Sequence, residues 1–105
     1  MYRKGFIMYV KPEHHTEYQK RHDEIWNELS QTLLNHGVKT YSIFLDTKTN
    51  QLFGYVEVED LDLWDSIANT EICKKWWKFM SDIMPSNPDN SPESRELKEV
   101  FFLHK

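Results

Sequence analysis

A chain of 105 residues is the size of one domain spanning 1–105, large enough for a core yet small enough to gain from a partner subunit. Its net charge of −4, with acidic and basic residues mixed along the chain, offers no basic patch for nucleic acid or an anionic membrane surface. The single cysteine, Cys73, excludes an intrachain disulfide and fits a reducing compartment, and no stretch approaches the ~20 apolar residues of a membrane span. Met1 to Val10 has no signal-peptide h-region, so a cytoplasmic globular protein is expected. Aromatic residues make up 14% of the chain and include four tryptophans, a supply of rigid walls for a pocket or an interface.

In chain order, Phe6 to Val10 is a short run of β-formers that predicts a buried first strand. Lys11-Pro12 breaks it, and a helix is predicted from Glu13 to His36, stopping at Gly37, a natural residue just beyond a helix end. At about 100° per residue, Tyr18, His22, Ile25 and Leu29 share one stripe of that helix, with Trp26 and Leu33 at its margin. His22 is the one ionisable residue on this apolar and aromatic stripe. A histidine so placed either bonds a carbonyl in the core or serves as a neutral imidazole that exchanges protons near pH 7. His14, His15 and His36 lie in the same segment, but their spacing does not converge on a metal and no cysteine pair accompanies them.

Thr40 to Asp46 predicts a second strand with Tyr41, Ile43 and Leu45 on one face and Ser42 and Phe44 on the other. Thr47 to Asn50 is a polar four-residue turn into a third strand, Gln51 to Glu59, which makes an antiparallel hairpin. A short helix over Asp60 to Asn69 carries Leu61, Trp64 and Ile67. Thr70 caps a second helix, Glu71 to Met84, whose core stripe is Ile72, Trp76, Phe79, Met80 and Ile83. Trp77 lies about 100° round from Trp76, so both rings face inward only if this helix lines a cavity. Pro85 to Ser94 is a proline-stiffened polar loop, and Leu97 to His104 predicts a last strand apolar on both faces at Val100 to Leu103. The order strand, helix, strand, strand, helix, strand is that of a ferredoxin-like α+β fold, βαββαβ. Its helices cover one face of the sheet, and a second subunit is the economical cover for the other.

The segments YQKRH (Tyr18 to His22), YSIFLD (Tyr41 to Asp46), CKKWWKFM (Cys73 to Met80) and DIMPSNPDNSP (Asp82 to Pro92) resemble those of L-rhamnose mutarotase. The resemblance runs from the first strand to EVFFL near the end. It implies a dimeric α+β barrel in the cytoplasm, a homodimer that interconverts the anomers of L-rhamnose without a cofactor or metal. By the same resemblance His22 is the proton donor, and Tyr18, Tyr41, Trp76 and Trp77 contact the sugar. Two positions depart from the family pattern. Asn27 follows Trp26 where proline is frequent, and Phe79 replaces a tyrosine and so lacks a hydroxyl.

The residues and the reaction suit one another. Mutarotation opens a cyclic hemiacetal, lets the carbonyl at C1 turn, and recloses the ring. It needs a proton removed from the anomeric hydroxyl and one delivered to the ring oxygen, which an imidazole can do. The methyl and C–H faces of a deoxysugar suit indole rings. Bulky neighbours are expected to keep His22 neutral at pH 7, with one protonated nitrogen donating to the ring oxygen. Two other classes fit the same fold: a haem-handling oxygenase with His22 as axial ligand, and a sugar-binding module that performs no proton transfer.

Overall fold

Gly54 shows how closely neighbouring strands of the sheet are packed. A Cβ built there would lie 2.4 Å from Cε2 of Phe6, so the ring of Phe6 lies directly over a bare backbone. Gly54 belongs to β3 (Gln51–Val58) and Phe6 to β1 (Tyr2–Tyr9), and the two residues face each other across that antiparallel pair. The computed structural model describes residues 1–105, in which β2 (Val38–Asp46), β3, β1 and β4 (Arg95–Leu97) form one antiparallel sheet in the order β2-β3-β1-β4. Helices α1 (His15–Asp23), α2 (Asn27–Asn35), α3 (Leu61–Ser66) and α4 (Glu71–Met80) complete it, with a 3₁₀ turn at Ile67–Asn69 after α3. This is the ferredoxin-like arrangement expected from the order of elements.

Strand register decides what each face presents. Met8 pairs with Leu52, and Leu52 with Leu45; Met8 and Leu52 belong to the core cluster with Tyr18, Leu29, Trp76 and Met80 from the helices, and Leu45 packs against it. Between them, alternate residues such as Phe44 and Phe53 point to the other face, where Phe44 is 66% exposed. The β2–β3 hairpin closes as expected over Thr47 to Asn50. Asp46 Oδ1 accepts from Lys48 N at 2.9 Å, and Asn50 takes a positive φ of 62°. Gly37 likewise carries the positive φ, 86°, that ends α2.

Four expectations are corrected. The first strand starts at Tyr2 rather than Phe6, because Tyr2 to Gly5 pair fully with Tyr55 to Val58 despite being polar and partly exposed. The long helix Glu13 to His36 is two helices. Glu24 ends α1, Ile25 N reaches back to His22 O at 3.2 Å, and Trp26 turns extended as the residue before α2. A straight helix over that span would be ~36 Å long, nearly the 39 Å greatest extent of the whole molecule. The break instead folds Trp26 against Trp76 and Phe79, at 5.1 and 5.3 Å between ring centroids. The helix from Glu71 ends at Met80, not Met84; residues Ser81 to Met84 form a turn whose Ile83 and Met84 are nevertheless buried.

The last strand is the fourth correction. Only Arg95–Leu97 pair with β1, and the tail from Lys98 onward has no strand partner. Val100, Phe101 and Leu103 are 86%, 78% and 79% exposed instead of buried on both faces. Pairing stops there although Tyr2 to Lys4 of β1 have no partner on that edge. Arg3 holds the tail by a two-pronged ion pair to Glu99 and a guanidinium 3.4 Å above the ring of Phe102.

Candidate active site

Tyr18, His22, Ile25, Leu29 and Leu33 all line one open cleft of about 1070 Å³ between the helices and the sheet. The break after α1 therefore redirects the chain without taking the stripe off the cavity. From β2 come Tyr41 and Ile43, from β1 Phe6 and Met8, and from α4 Cys73, Trp76, Trp77 and Met80. The loop after α4 supplies a polar rim of Ser86, Asn87, Asn90 and Ser91 to the cleft of its own chain. That loop is pinned by its own bonds: Asn87 N donates to Ser91 O at 2.8 Å, and Asp89 accepts from Ser91 N at 2.9 Å.

His22 sits in the last turn of α1, and its Nδ1 lies 2.9 Å from the carbonyl oxygen of Tyr18. A carbonyl only accepts, so Nδ1 carries the proton of the neutral ring and Nε2 carries the lone pair. Nε2 bonds no protein group, and no buried side-chain nitrogen or oxygen in the molecule lacks a partner, so Nε2 is open to the cleft. The imidazole is sandwiched: Tyr18 stacks on it at 4.3 Å and Trp76 meets it edge-on at 5.4 Å. Burial among these rings pushes His22 below its ordinary pKa, and outweighs the Tyr18 carbonyl and the neighbouring Asp23, which both favour the charge. A lowered pKa favours the neutral ring, as expected, and with Nδ1–H tied to the carbonyl that ring presents the lone pair of Nε2 to the cleft.

The two tyrosines follow the same reasoning. Neither hydroxyl bonds a protein group, and neither is an orphaned buried atom, so each keeps access to the cleft. Burial raises both, Tyr18 with a further push from Tyr41 and Tyr41 with one from Cys73, which keeps them protonated. The thiol of Cys73 is itself pushed up to about 11 by burial, so it is no nucleophile at neutral pH. Trp76 and Trp77 both reach the cavity from successive positions of α4. Thr70 caps that helix by accepting from Cys73 N at 3.3 Å. No three His, Cys, Asp or Glu side chains converge on a metal-sized point.

Sequence reasoning passed over Trp64 and Phe6 as site residues. Both line the cleft and meet Tyr41 edge-on, each 6.1 Å away between ring centroids. Trp64 reads as an ordinary helix-stripe residue, and only the meeting of α3 with β2 gives it a role beside Tyr41. Phe79, expected in the core stripe, is 40% exposed and covered by Arg21 at 4.2 Å.

The family model for L-rhamnose mutarotase matches residues 3–103, essentially the whole fold and every cleft residue named above. The chain belongs to the L-rhamnose mutarotase family. It is an isomerase acting at a sugar's anomeric centre. An L-rhamnose mutarotase of Tolumonas auensis is 61% identical over 103 residues, covering 98% of this chain and 99% of that one. The crystal structure of the L-rhamnose mutarotase of Formosa agariphila superposes with a TM-score of 0.92 at 46% identity, covering 99% and 100% of the two chains. An antibiotic biosynthesis monooxygenase shares the fold alone, with a TM-score of 0.64 at 16% identity over 95% of this chain and 99% of that one.

Proposed function

We propose that this member of the family interconverts the α and β anomers of L-rhamnose without a cofactor, with His22 as the group that moves the proton. The observation that carries this reading is the tied imidazole: Nδ1–H held by the Tyr18 carbonyl, Nε2 free at the wall of an aromatic cleft. Nε2 takes the proton of the anomeric hydroxyl, and the O1–H pair becomes the second bond of the C1 carbonyl. The C1–O5 bond breaks toward O5, which receives the proton from the same imidazolium. O1 and O5 are both bonded to C1, so one nitrogen reaches both with a small movement of ligand or ring. After the carbonyl turns about C1–C2, the reverse steps close the other anomer and no proton is gained or lost. His22 is thus first base and then donor, which accommodates the donor role that the resemblance implies. An acid–base contribution of ~10²–10⁴-fold suffices because this reaction already proceeds slowly in water.

The remaining residues supply recognition. Indole faces of Trp76 and Trp77 suit the C–H faces and methyl of a deoxysugar. The protonated hydroxyls of Tyr18 and Tyr41 are donors for sugar oxygens, and the amides of Asn87 and Asn90 sit where hydroxyls would meet the rim. The working unit in this reading is a homodimer whose sheets face one another as a barrel. It is supported by Phe44, Phe101 and Leu103, large apolar side chains more than half exposed on one chain. A cytoplasmic location fits a chain in which no helix is long and apolar enough to cross a membrane and whose one cysteine is free.

Exchange of the anomeric protons of L-rhamnose, followed by saturation-transfer NMR with and without the protein, tests the function directly. Acceleration at catalytic protein concentration is the expected result. Rhamnose binding without acceleration would make the protein a sugar-binding module instead.

A further inference from the structure

We propose that Arg21 is the positioning residue for His22: its guanidinium locks α1 onto the C-terminal end of α4 and so fixes where Nε2 points. This rests on the reading of His22 as the proton carrier, and the test below separates the two.

α1 needs such a lock. It is a helix of nine residues with no side-chain cap on its first turn, a length at which helices are marginal on their own. Its backbone does not approach any other element extensively, unlike α2, which runs against both α4 and β2. What holds α1 is side chains. At its start, His15 Nε2 donates to Asn50 Oδ1 at 2.7 Å, which ties it to the β2–β3 turn. In the middle, Tyr18 is buried in the core. At its end stands Arg21, next in the chain to His22.

Arg21 is more fully engaged than any other charged side chain of the site region. Nε donates to Glu17 Oε2 at 2.8 Å within α1. Across the gap, Nη1 donates to the Phe79 carbonyl at 2.8 Å and to Asp82 Oδ1 at 2.9 Å, while Nη2 donates to Asp82 Oδ2 at 3.2 Å. The guanidinium carbon lies 4.2 Å from the centre of the Phe79 ring, over its face, and the side chain is only 12% exposed. One group therefore ties α1 to a last-turn carbonyl of α4, to the turn after it, and to an aromatic ring. That ring continues inward, 5.7 Å to Trp76 and 5.3 Å to Trp26, and Trp76 in turn is 5.4 Å from His22. The spacing of the imidazole from the indole edge is set by how closely the two helices are drawn together. The fork geometry is what arginine offers and lysine does not, since one ammonium cannot meet Glu17, Asp82 and the carbonyl in these directions while covering a ring.

The test compares Arg21→Gln, Arg21→Lys and Asp82→Asn with the parent protein, each well below its own melting temperature. The measurements are anomer-exchange kcat and KM, and the ring ¹⁵N shifts of His22. Displacing the imidazole should lower kcat of Arg21→Gln about ten- to a hundredfold while KM changes by less than about threefold. Arg21→Lys and Asp82→Asn should fall between it and the parent. The ¹⁵N shifts should move from the fixed Nδ1–H tautomer toward an average of both. A purely structural arginine would lower the melting temperature and leave kcat and the tautomer of the folded protein unchanged; that result overturns the proposal. Should Arg21→Gln not fold, Asp82→Asn decides alone, because it keeps the Glu17 and Phe79 contacts, and parental kcat with a parental tautomer there overturns it equally. His22→Gln run alongside distinguishes the underlying reading: parental exchange in that variant removes the proton-carrier role, whatever Arg21 does.

Discussion

Replacing His22 by glutamine removes the titrating group and leaves a polar side chain of similar reach. Two separate losses follow from the geometry. The bond from Nδ1 to the Tyr18 carbonyl is a partly buried hydrogen bond, worth about 1 kcal/mol of stability. That corresponds to a melting temperature lower by about 4–8 °C in a chain of this size. The lost proton shuttle costs ~10²–10⁴-fold in rate, or about 3–5 kcal/mol of barrier. The second loss exceeds the first several-fold, so a folded, rhamnose-binding and nearly inactive protein is expected. His22→Asn separates the two further, since its amide can still donate to the Tyr18 carbonyl but places nothing at Nε2. Both variants should lose exchange alike although only glutamine forfeits the bond. Saturation transfer between the anomeric protons of L-rhamnose reads the rate, and thermal melting reads the stability. The pH profile adds a sign. Because burial lowers the folded pKa of His22, activity should hold above neutrality and fall only in acid, with a midpoint below about 6.5. The stability associated with the neutral ring is present above about pH 6.5 and is lost as pH falls from there to the folded value. Parental exchange in both variants, or an acid limb above about pH 6.5, would refute the reasoning.

Gly54→Ala should destabilise the protein by about 1–3 kcal/mol in urea unfolding, since its Cβ would fall 2.4 Å from the Phe6 ring. Phe6→Leu in that background should restore part of the loss if the clash is the cause. Trp77→Ala and Trp76→Phe, the latter chosen because Trp76 is buried against Trp26 and His22, should weaken L-rhamnose binding in titrations followed by fluorescence. Unchanged affinity in both would place the sugar elsewhere. Light scattering at micromolar concentration should give the mass of two 12.7 kDa chains, and a monomer would remove the paired-sheet reading.

Local chemistry determined much of this protein. Asp46, Asn50 and Gly37 specify their turns through side-chain acceptors and positive φ, and the alternation of Tyr41, Ile43 and Leu45 specifies a face without reference to anything distant. The stripe carrying Tyr18 and His22 was legible for the same reason: helical periodicity is a property of neighbours. The break at Glu24 to Trp26 was not, because no glycine or proline marks it here. Asn27 occupies the first position of α2, the place where a proline is best tolerated and would have marked the boundary. Tertiary structure alone decided where the helix bends, since the indole of Trp26 gains two aromatic partners only if the backbone turns. It also decided the fate of Val100 to Leu103, whose apolar sequence asks for burial that a single chain does not provide. The tautomer of His22 belongs to the same class. Residue type names a proton carrier, but only the direction of a carbonyl one helical turn away determines which nitrogen holds the proton and which faces the cleft.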